Sequence, residues 1–366
     1  MMKSEQLAER LGKAVQSWLN DESGALQMAI DKTVNEGLFF REDVMRALGH
    51  TRTSVTAELL QKWVKESVHE KPDISNKDIV LCLHAGNLPL VGLQDVLAVL
   101  LSGHEYAGKI SRKDPYLMKS LLDHLEKDGS FPKMRYSTNL EDFVNLGAGA
   151  VMFSGSEESV PEVRAVLSEH NIMAAGAKEL IRTAHSSVAW IGKEAETDTI
   201  IRALLEAIFA YEGKGCRSLI TIFTDGDARH LLDAIAREAG ASPYIQNCIS
   251  PKALSPVLHY KRSFYSAVDQ PYLRLGDKLI VIGEPDPRTE GLITITQSEG
   301  KECINFIKKQ NAKIQSFYTV EETPGLGEIP VESLHHAQSP PVNWKPDGTD
   351  PLKWLTELEQ TSGTMV

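Results

Sequence analysis

The spacing of hydrophobic residues along the chain changes near residue 78. Before that point apolar residues recur every three to four positions, as in Leu7, Leu11 and Val15, which is typical of amphipathic helices. We therefore predict a helical N-terminal segment over residues 1–78. The stretch 69–78, HEKPDISNKD, is rich in charged and turn-forming residues and marks the first predicted boundary.

Beyond this boundary, short apolar runs alternate with helical patterns. Ile79–Leu83 and residues 148–153 have the length and composition of buried strands, and a helical pattern such as residues 117–125 separates each strand from the next. Parallel strands need crossover connections, which are usually helices. Residues 79–186 are therefore predicted to form an α/β lobe whose ligand lies beyond the carboxyl ends of the strands.

A second series of strands and helices follows over residues 187–323, beginning with the apolar run 187–191. The composition becomes irregular from Pro324, since six of the 17 prolines lie between Pro324 and Pro351. The predicted fold class is α/β: two lobes with parallel sheets, a helical N-terminal segment and an irregular C-terminal tail over residues 324–366.

Composition and charge exclude several classes of protein. The chain has 366 residues, of which 42% are hydrophobic and 24% charged, as in ordinary globular proteins. A formal net charge of −11 argues against a nucleic-acid partner, which needs clustered Lys and Arg. The N-terminus is charged, and the aliphatic run 96–101 is far shorter than a membrane span. We expect a cytoplasmic protein without a membrane span.

Four cysteines are scattered without the paired spacing of zinc or redox sites, which fits a reducing compartment. Cys216 lies in the segment GKGCRS, in a predicted turn before a strand, where Gly213 and Gly215 allow close approach to the sulfur. Neighbouring Lys214 and Arg217 would favour a thiolate. Cys216 is thus a candidate nucleophile, and a small structural cysteine in a glycine-rich turn is the alternative.

Three further segments follow strands at the predicted ligand edge. Asn87 could donate to an oxyanion, or could instead begin a helix as its N-cap. Lys109, Ser111 and Arg112, which follow the second strand, could bind ribose or phosphate, and a solvated loop is the alternative. Gly155 and Ser156, which precede a helix, could bring backbone N–H groups close to a pyrophosphate.

Other familiar motifs are missing or weak. No GxGxxG follows a strand, so dinucleotide binding by that device is disfavoured. His185 lies beside two serines, but a hydrogen-bonded structural role fits it better than a catalytic triad. His335 and His336 lack nearby carboxylate or cysteine partners, so we expect no metal site.

Several of these segments, taken in order, resemble the LuxC-type acyl-CoA reductases, a branch of the aldehyde dehydrogenase superfamily. They are GNLP at 86–89, LLSGHEYAGKISRKDP at 100–115, SGS at 154–156, HSSVAWIG at 185–192, GKGCRS at 213–218 and the tail HHAQSPPVNWKPDGTDPLKWL at 335–355. GxGCR before a strand, with GNxP and KxSxxDP upstream, is the most specific combination.

The resemblance implies that Cys216 attacks an acyl thioester and that Asn87 and the Cys216 backbone N–H hold the oxyanion. It places Lys109 on the adenosine ribose and Gly155 and Ser156 near the pyrophosphate. Relatives that prefer NAD often carry an acid near the position of Arg112, so the resemblance favours NADPH, with NADH as the alternative.

The resemblance also limits the reaction. Hydrolytic relatives use a glutamate from an ELGGK-like motif to activate water, and the matching stretch here, TAHSSVAWIG, has no acid. It therefore favours a reductase over an oxidising aldehyde dehydrogenase. A non-catalytic subunit that binds an acyl carrier or a synthetase is the alternative from another class. Acyl-CoA or an acyl carrier is the expected substrate, a synthetase a candidate partner, and a homo-oligomer is compatible with the family.

Overall fold

The computed structural model describes residues 4–68, 78–183, 186–193, 197–249, 251–310, 313–320 and 331–358. The chain forms two compact units: unit 1 comprises residues 1–183 and 341–366, and unit 2 comprises residues 184–340. The functional division predicted from the sequence, with boundaries after residues 78, 186 and 323, stays a prediction. None of the helices in the described ranges combines the length and apolarity that crossing a bilayer requires.

Four helices open unit 1, and their apolar faces share one core with the helices of the first sheet. Leu11, Trp18 and Trp63 are fully buried in that core. Gly12 permits the close approach of two of these helices, because a Cβ atom there would lie 2.5 Å from the Ala57 nitrogen. The helices are α1 (Ser4–Leu19), α2 (Ala25–Asn35), α3 (Arg41–Ser54) and α4 (Ala57–Ser67).

The sheet of unit 1 has five parallel strands in the order β3-β2-β1-β4-β5. The chain moves outward in one direction from β1 to β3 and then returns to the other side of β1, so the topological switch point lies between β1 and β4. The elements are β1 (Ile79–Leu83), α5 (Leu93–Ser102), β2 (Glu105–Lys109), α6 (Leu117–Asp128), β3 (Met134–Ser137), β4 (Ala148–Ser154), α7 (Val160–Glu169) and β5 (Met173–Arg182).

Unit 2 contains a sheet of seven strands in the order β12-β11-β6-β7-β10-β9-β8. All its neighbouring strands are parallel except the β8–β9 pair. The elements are β6 (Ser186–Ile191), α8 (Asp198–Phe209), β7 (Leu219–Thr224), α9 (Ala228–Ala241), α10 (Pro243–Cys248), α11 (Pro256–Ala267), β8 (Tyr272–Leu275), β9 (Lys278–Ile282), β10 (Leu292–Gln297), α12 (Gly300–Gln310), β11 (Ile314–Thr319) and β12 (Glu332–Ser333). The predicted α/β class with parallel sheets is confirmed.

The last described residues return to unit 1, where α13 (Pro351–Glu357) packs against α5. The Gln94 side chain donates to the carbonyl oxygens of Val342, at 2.8 Å, and Trp344, at 2.6 Å. The indole nitrogen of Trp63 donates to Asp350 at 3.1 Å. The described end of the chain is therefore an ordered part of unit 1, although it contains little regular structure.

Candidate functional site

The carboxyl edge of the five-stranded sheet carries all the predicted binding residues of unit 1. Leu83, near the end of β1, pairs with Lys109 on one side and with Phe153 on the other. The loops that follow β1, β2 and β4 therefore begin side by side, at the switch point where this fold binds ligands. The residues at or just beyond this edge are Asn87, Lys109, Ser111, Arg112, Gly155 and Ser156.

Asn87 lies in the loop 84–92 that joins β1 to α5. The helix begins at Leu93 with Gly92 as its N-cap, so Asn87 is five residues too early to cap it. The structural alternative that its position suggested, a helix N-cap, is therefore wrong. Asn87 is partly buried in an irregular loop beyond the end of β1, where a side-chain amide can face a ligand.

Two pairs of buried polar side chains lie at the two ends of this loop: His84 is its first residue, and Asp95 is in the first turn of the helix that follows. His84 Nε2 and the Tyr106 hydroxyl are 2.7 Å apart, and burial lowers the pKa of His84 to about 4. Asp95, on α5, accepts two hydrogen bonds from the Arg182 guanidinium, at 2.9 and 2.5 Å, and both side chains are almost fully buried. These pairs fix α5 and the end of β5 to the ligand edge.

Two cations lie near the end of β2. Lys109 is partly buried and Arg112 is exposed. The pKa of Lys109 is lowered by burial and, secondarily, by the charge of Arg112. The Arg112 guanidinium donates to the Asn139 side chain at 3.2 Å. Two neighbouring cations at the edge of a sheet are suited to a phosphate group.

Ser111 has a structural use in the same loop. Its hydroxyl oxygen accepts from the Lys113 backbone N–H at 3.1 Å, and its carbonyl oxygen accepts from the Asp114 N–H at 3.1 Å. Its side chain also lies against Gly86, where a Cβ atom would come within 1.8 Å of the Ser111 oxygen. A contact of Ser111 with ribose stays a prediction.

Gly155 and Ser156 are exposed at the end of β4. The Gly155 N–H donates to the Arg182 carbonyl oxygen at 3.2 Å, and a Cβ atom on Gly155 would lie 2.4 Å from the Phe153 ring. Position 155 therefore requires glycine, and the missing side chain leaves the backbone of residues 155 and 156 exposed to solvent at the switch point. Together with Lys109 and Arg112, this open backbone fits a dinucleotide.

Cys216 lies in unit 2, three residues before β7 begins at Leu219 and thus near the amino end of that strand. It occupies a tight turn in which the Ser218 N–H donates to the Gly215 carbonyl oxygen at 2.9 Å. The buried Ser187 hydroxyl donates to the Cys216 carbonyl oxygen at 3.0 Å. These contacts fix the peptide groups around the cysteine, whose side chain is partly exposed.

Arg217 anchors the turn, and this role differs from the one that its sequence position suggested. Its guanidinium donates to the carbonyl oxygens of Ala337, at 2.7 Å, and His336, at 3.1 Å, and forms an ion pair with Glu332 at 2.8 Å. The Tyr318 hydroxyl donates to the Arg217 carbonyl oxygen at 3.2 Å. Glu332 balances the buried charge. That Arg217 favours a Cys216 thiolate stays a prediction.

The residues before Cys216 adopt an unusual backbone. Tyr211, Glu212 and Gly213 all have positive φ angles, of 55°, 57° and 67°. Glu212 accepts hydrogen bonds from Lys214 and Lys252, and these outweigh the effect of burial, so the pKa of Glu212 is lowered. Lys214 is thus paired with an acid. His185 lies outside the described residues.

The other cysteines differ from Cys216 in their surroundings. Cys82 and Cys303 are fully buried, and burial raises the pKa of Cys82 well above its ordinary value and that of Cys303 to about 12. Such thiols are unreactive. Cys82 is a core residue of β1. Cys216 and Cys248 are the two cysteines with partly exposed side chains.

A model of the acyl-CoA reductase (LuxC) family matches residues 3–255, more than two thirds of the chain. The chain belongs to the LuxC acyl-CoA reductase family. It is therefore an oxidoreductase of the aldehyde-forming, acyl-CoA reductase class, and the matched range includes every predicted site residue. No curated protein matches the sequence.

Solved structures of aldehyde dehydrogenases share the fold of this LuxC-family chain. AldH of Staphylococcus aureus, in a substrate-bound state, is 15% identical with a TM-score of 0.59, over 89% of this chain and 78% of the other. Aldehyde dehydrogenase 21 of Physcomitrella patens, in complex with the product succinate, is 13% identical with a TM-score of 0.61, over 97% and 87%. The 1-pyrroline-5-carboxylate dehydrogenase from Thermus, with bound NAD, is 11% identical with a TM-score of 0.55, over 89% and 74%.

Sequence reasoning missed two groups that the structure places around the predicted residues of this acyl-CoA reductase. Ser187 and Arg217 hold the Cys216 turn, and Asp114 contacts the loop that carries Asn87. The sequence signal for Arg217 was its position two residues before the apolar strand that begins at Leu219, since a charge that becomes buried needs partners. No sequence signal connected Asp114 with Leu90, because their contact depends on how two loops meet.

Proposed function

We propose that this enzyme reduces a fatty acyl thioester, with acyl-CoA as the substrate, to an aldehyde, and that it does so with NADPH through a covalent thioester on Cys216. The observation that carries the proposal is the Cys216 turn: a partly exposed thiol flanked by glycine, with its peptide group held by Ser187. A nucleophile held on a fixed turn is the arrangement that acyl transfer requires.

In the first step, the Cys216 sulfur attacks the acyl carbonyl carbon. The bond between that carbon and the sulfur of coenzyme A breaks, and the departing thiolate takes up a proton. We propose that the Asn87 amide and the Cys216 backbone N–H donate to the carbonyl oxygen as it becomes negative. Such donors stabilise the tetrahedral intermediate because they are oriented before the reaction begins.

The ligand edge of unit 1 is the proposed cofactor site. Lys109 and Arg112 would hold the ribose and its 2'-phosphate, Ser111 would lie beside them, and Gly155 and Ser156 would face the pyrophosphate. The bound cofactor supplies the hydride that converts the enzyme thioester to the aldehyde level. Arg112 favours NADPH, because a guanidinium binds phosphate well. NADH is the alternative cofactor.

Two other functions compete with reduction. An oxidative aldehyde dehydrogenase needs a base that activates water, and residues 183–192 contain no carboxylate. A non-catalytic subunit that binds an acyl carrier or a synthetase would not need Cys216, Asn87 and Lys109, and all three are present. An acyl-protein synthetase or acyl carrier as partner, a homo-oligomeric assembly and a cytoplasmic location complete the proposal.

The test follows NADPH consumption and aldehyde release with acyl-CoA thioesters of different chain lengths. We expect turnover by the native enzyme, none by Cys216→Ala, and nearly unchanged turnover by Cys248→Ala, which removes the other partly exposed thiol. Equal loss in both variants would contradict a specific role for Cys216. Turnover that persists in Cys216→Ala would contradict the covalent mechanism.

A further inference from the structure

The loop that carries Asn87 is held from both sides by the loop 110–116, which joins β2 to α6. On one side, Gly86 lies so close to Ser111 that a Cβ atom would come within 1.8 Å of the serine oxygen. On the other side, the Leu90 N–H donates to Asp114 Oδ2 at 2.7 Å. The two contacts flank Asn87, at one and three residues from it.

Leu90 needs such a partner because of its backbone. Its φ angle is 57°, in the left-handed region that residues with a side chain rarely adopt. The carbonyl oxygen of Leu90 accepts from the Leu93 N–H at 2.9 Å, so this strained residue also begins the turn into α5. A hydrogen bond to a carboxylate is stronger than one to a neutral acceptor, and it can hold the N–H in this conformation.

Asp114 is a buried residue of the loop 110–116, at its contact with the Asn87 loop. Only 4% of it is exposed, and burial raises its pKa to about 6, although the backbone N–H groups of Leu90, Leu117 and Met118 favour the charged form. Leu117 and Met118 are the first residues of α6. The hydrogen bond from Leu90 therefore joins the strained residue of the Asn87 loop to the loop that leads into α6.

We infer that Asp114 is a positioning residue for the reaction: by holding Leu90 against the loop 110–116, it sets the place of the Asn87 amide. The inference rests on the proposed function, in which Asn87 donates to the thioester oxygen. Asp114 itself acts through the loop and is not a catalytic residue. The same contact joins the Asn87 loop to the loop 110–116, which carries Ser111 and Arg112 and directly follows Lys109.

The first test measures hydrogen exchange of the Leu90 amide in the full-length protein, which does not depend on activity. Asp114→Ala should make this amide exchange ~10-fold faster, because its charged acceptor is lost. Asp114→Asn, which keeps an acceptor oxygen, should have a smaller effect of the same sign, and it carries the test if the alanine variant does not fold. Unchanged exchange in a folded variant overturns the inference.

The second test measures the rate at which acyl-CoA acylates Cys216. Asp114→Ala should lower this rate ~10- to 100-fold, because the Asn87 amide is then misplaced. The KM for acyl-CoA should change little. In an Asn87→Ala background, Asp114→Ala should lower the acylation rate less than ~3-fold, because the amide that it would misplace is already absent. If the double variant loses the product of the two separate rate effects, the inference is overturned.

Asp350→Asn is the matched control. Asp350 is a second aspartate of unit 1 that accepts from backbone N–H groups, those of Leu352 and Lys353 at the start of α13. It should lower stability without changing the acylation rate or the exchange of Leu90. If the native enzyme is never acylated, the proposed function fails, while the exchange of Leu90 still decides whether Asp114 holds the loop.

Discussion

The two regions that carry the proposed chemistry are built in opposite ways. The binding residues of unit 1 lie at or beyond the carboxyl ends of their strands, whereas Cys216 precedes its strand. Arg112 is exposed at the ligand edge of unit 1, and Arg217 is buried in unit 2 with Glu332 and two carbonyl oxygens as partners. Residues of the same type therefore have different uses in the two regions.

The difference between the two arginines distinguishes a side chain that can bind a ligand from one that holds the backbone in place. An exposed cation at a sheet edge keeps its charge available to a ligand, while a buried and paired cation mainly fixes the backbone. We accordingly expect substitutions at the edge of unit 1 to change rates and cofactor choice. Substitutions around the Cys216 turn, apart from Cys216 itself, should change stability first.

Asn87→Ala should have the largest effect on catalysis. Loss of one donor to an oxyanion typically lowers kcat by ~10²- to 10³-fold, and the proposed role of Asn87 predicts a fall of that size in Cys216 acylation. Single-turnover kinetics with acyl-CoA measures it. Asn139→Ala removes another amide of the same unit, near Arg112, and should leave acylation intact. Equal effects would contradict the role of Asn87.

Arg217→Met should destabilise unit 2 by about 3 kcal/mol, because it removes the guanidinium that pairs with Glu332 and donates to two carbonyl oxygens. Chemical denaturation monitored by hydrogen exchange in each unit measures the loss. Arg229→Met removes an exposed arginine of α9 that pairs with Asp233, and it should cost far less. A stable Arg217→Met enzyme with much slower acylation would instead assign Arg217 to the chemistry.

His84→Gln should change how the stability of unit 1 depends on pH. The pKa of His84 falls to about 4 in the folded protein, so the unfolded chain binds the proton first and stability decreases as pH falls below about 6.5. Relative to the variant, the native protein should lose about 2 kcal/mol between pH 7 and pH 5.

Asp114 acts in the opposite direction over the same range, since its pKa is raised to about 6. The contributions of His84 and Asp114 therefore partly cancel, so the difference in stability between native protein and variant is the quantity to measure. Thermal unfolding at several pH values gives it. If stability changes with pH in the same way in the native protein and in His84→Gln, His84 does not titrate as its burial requires.

Arg112→Ala should have the smallest effect, a rise of ~10-fold in KM for NADPH with little change for NADH, because one charged contact to the 2'-phosphate is lost. Lys113→Ala removes the adjacent exposed cation and is the matched control. Equal effects from the two variants would indicate a diffuse field of positive charge. An equal loss with NADPH and NADH would contradict a specific phosphate contact.

Much of the fold could be predicted because it depends on local patterns. The run Ile79–Leu83 is apolar throughout and is a buried central strand, as predicted. Strand β5 (Met173–Arg182) was missed, since its alanine, glycine and charged residues lack the composition of a strand, and its pairing with β4 forms it. The sequence also offered Asn87 as the N-cap of the next helix, whereas α5 begins later, with Gly92 as its N-cap.

The candidate site could be predicted only in part. Glycines beside Cys216 and cations after β2 are visible in the sequence, and the resemblance to the LuxC family gave them roles. The contacts of Arg217 with Ala337 and of Asp114 with Leu90 join residues far apart in the chain. Such contacts arise from tertiary packing, which periodicity and spacing do not encode.

The central claim, a covalent acyl thioester on Cys216, is tested most directly by incubating the native enzyme with acyl-CoA in the absence of NADPH and measuring its intact mass. We predict a mass increase equal to one acyl group, located on Cys216 by peptide mapping, retained in Cys248→Ala, absent in Cys216→Ala and reversed when NADPH is added. An enzyme that forms aldehyde while Cys216 remains unacylated, or acylation at another residue, would contradict the account.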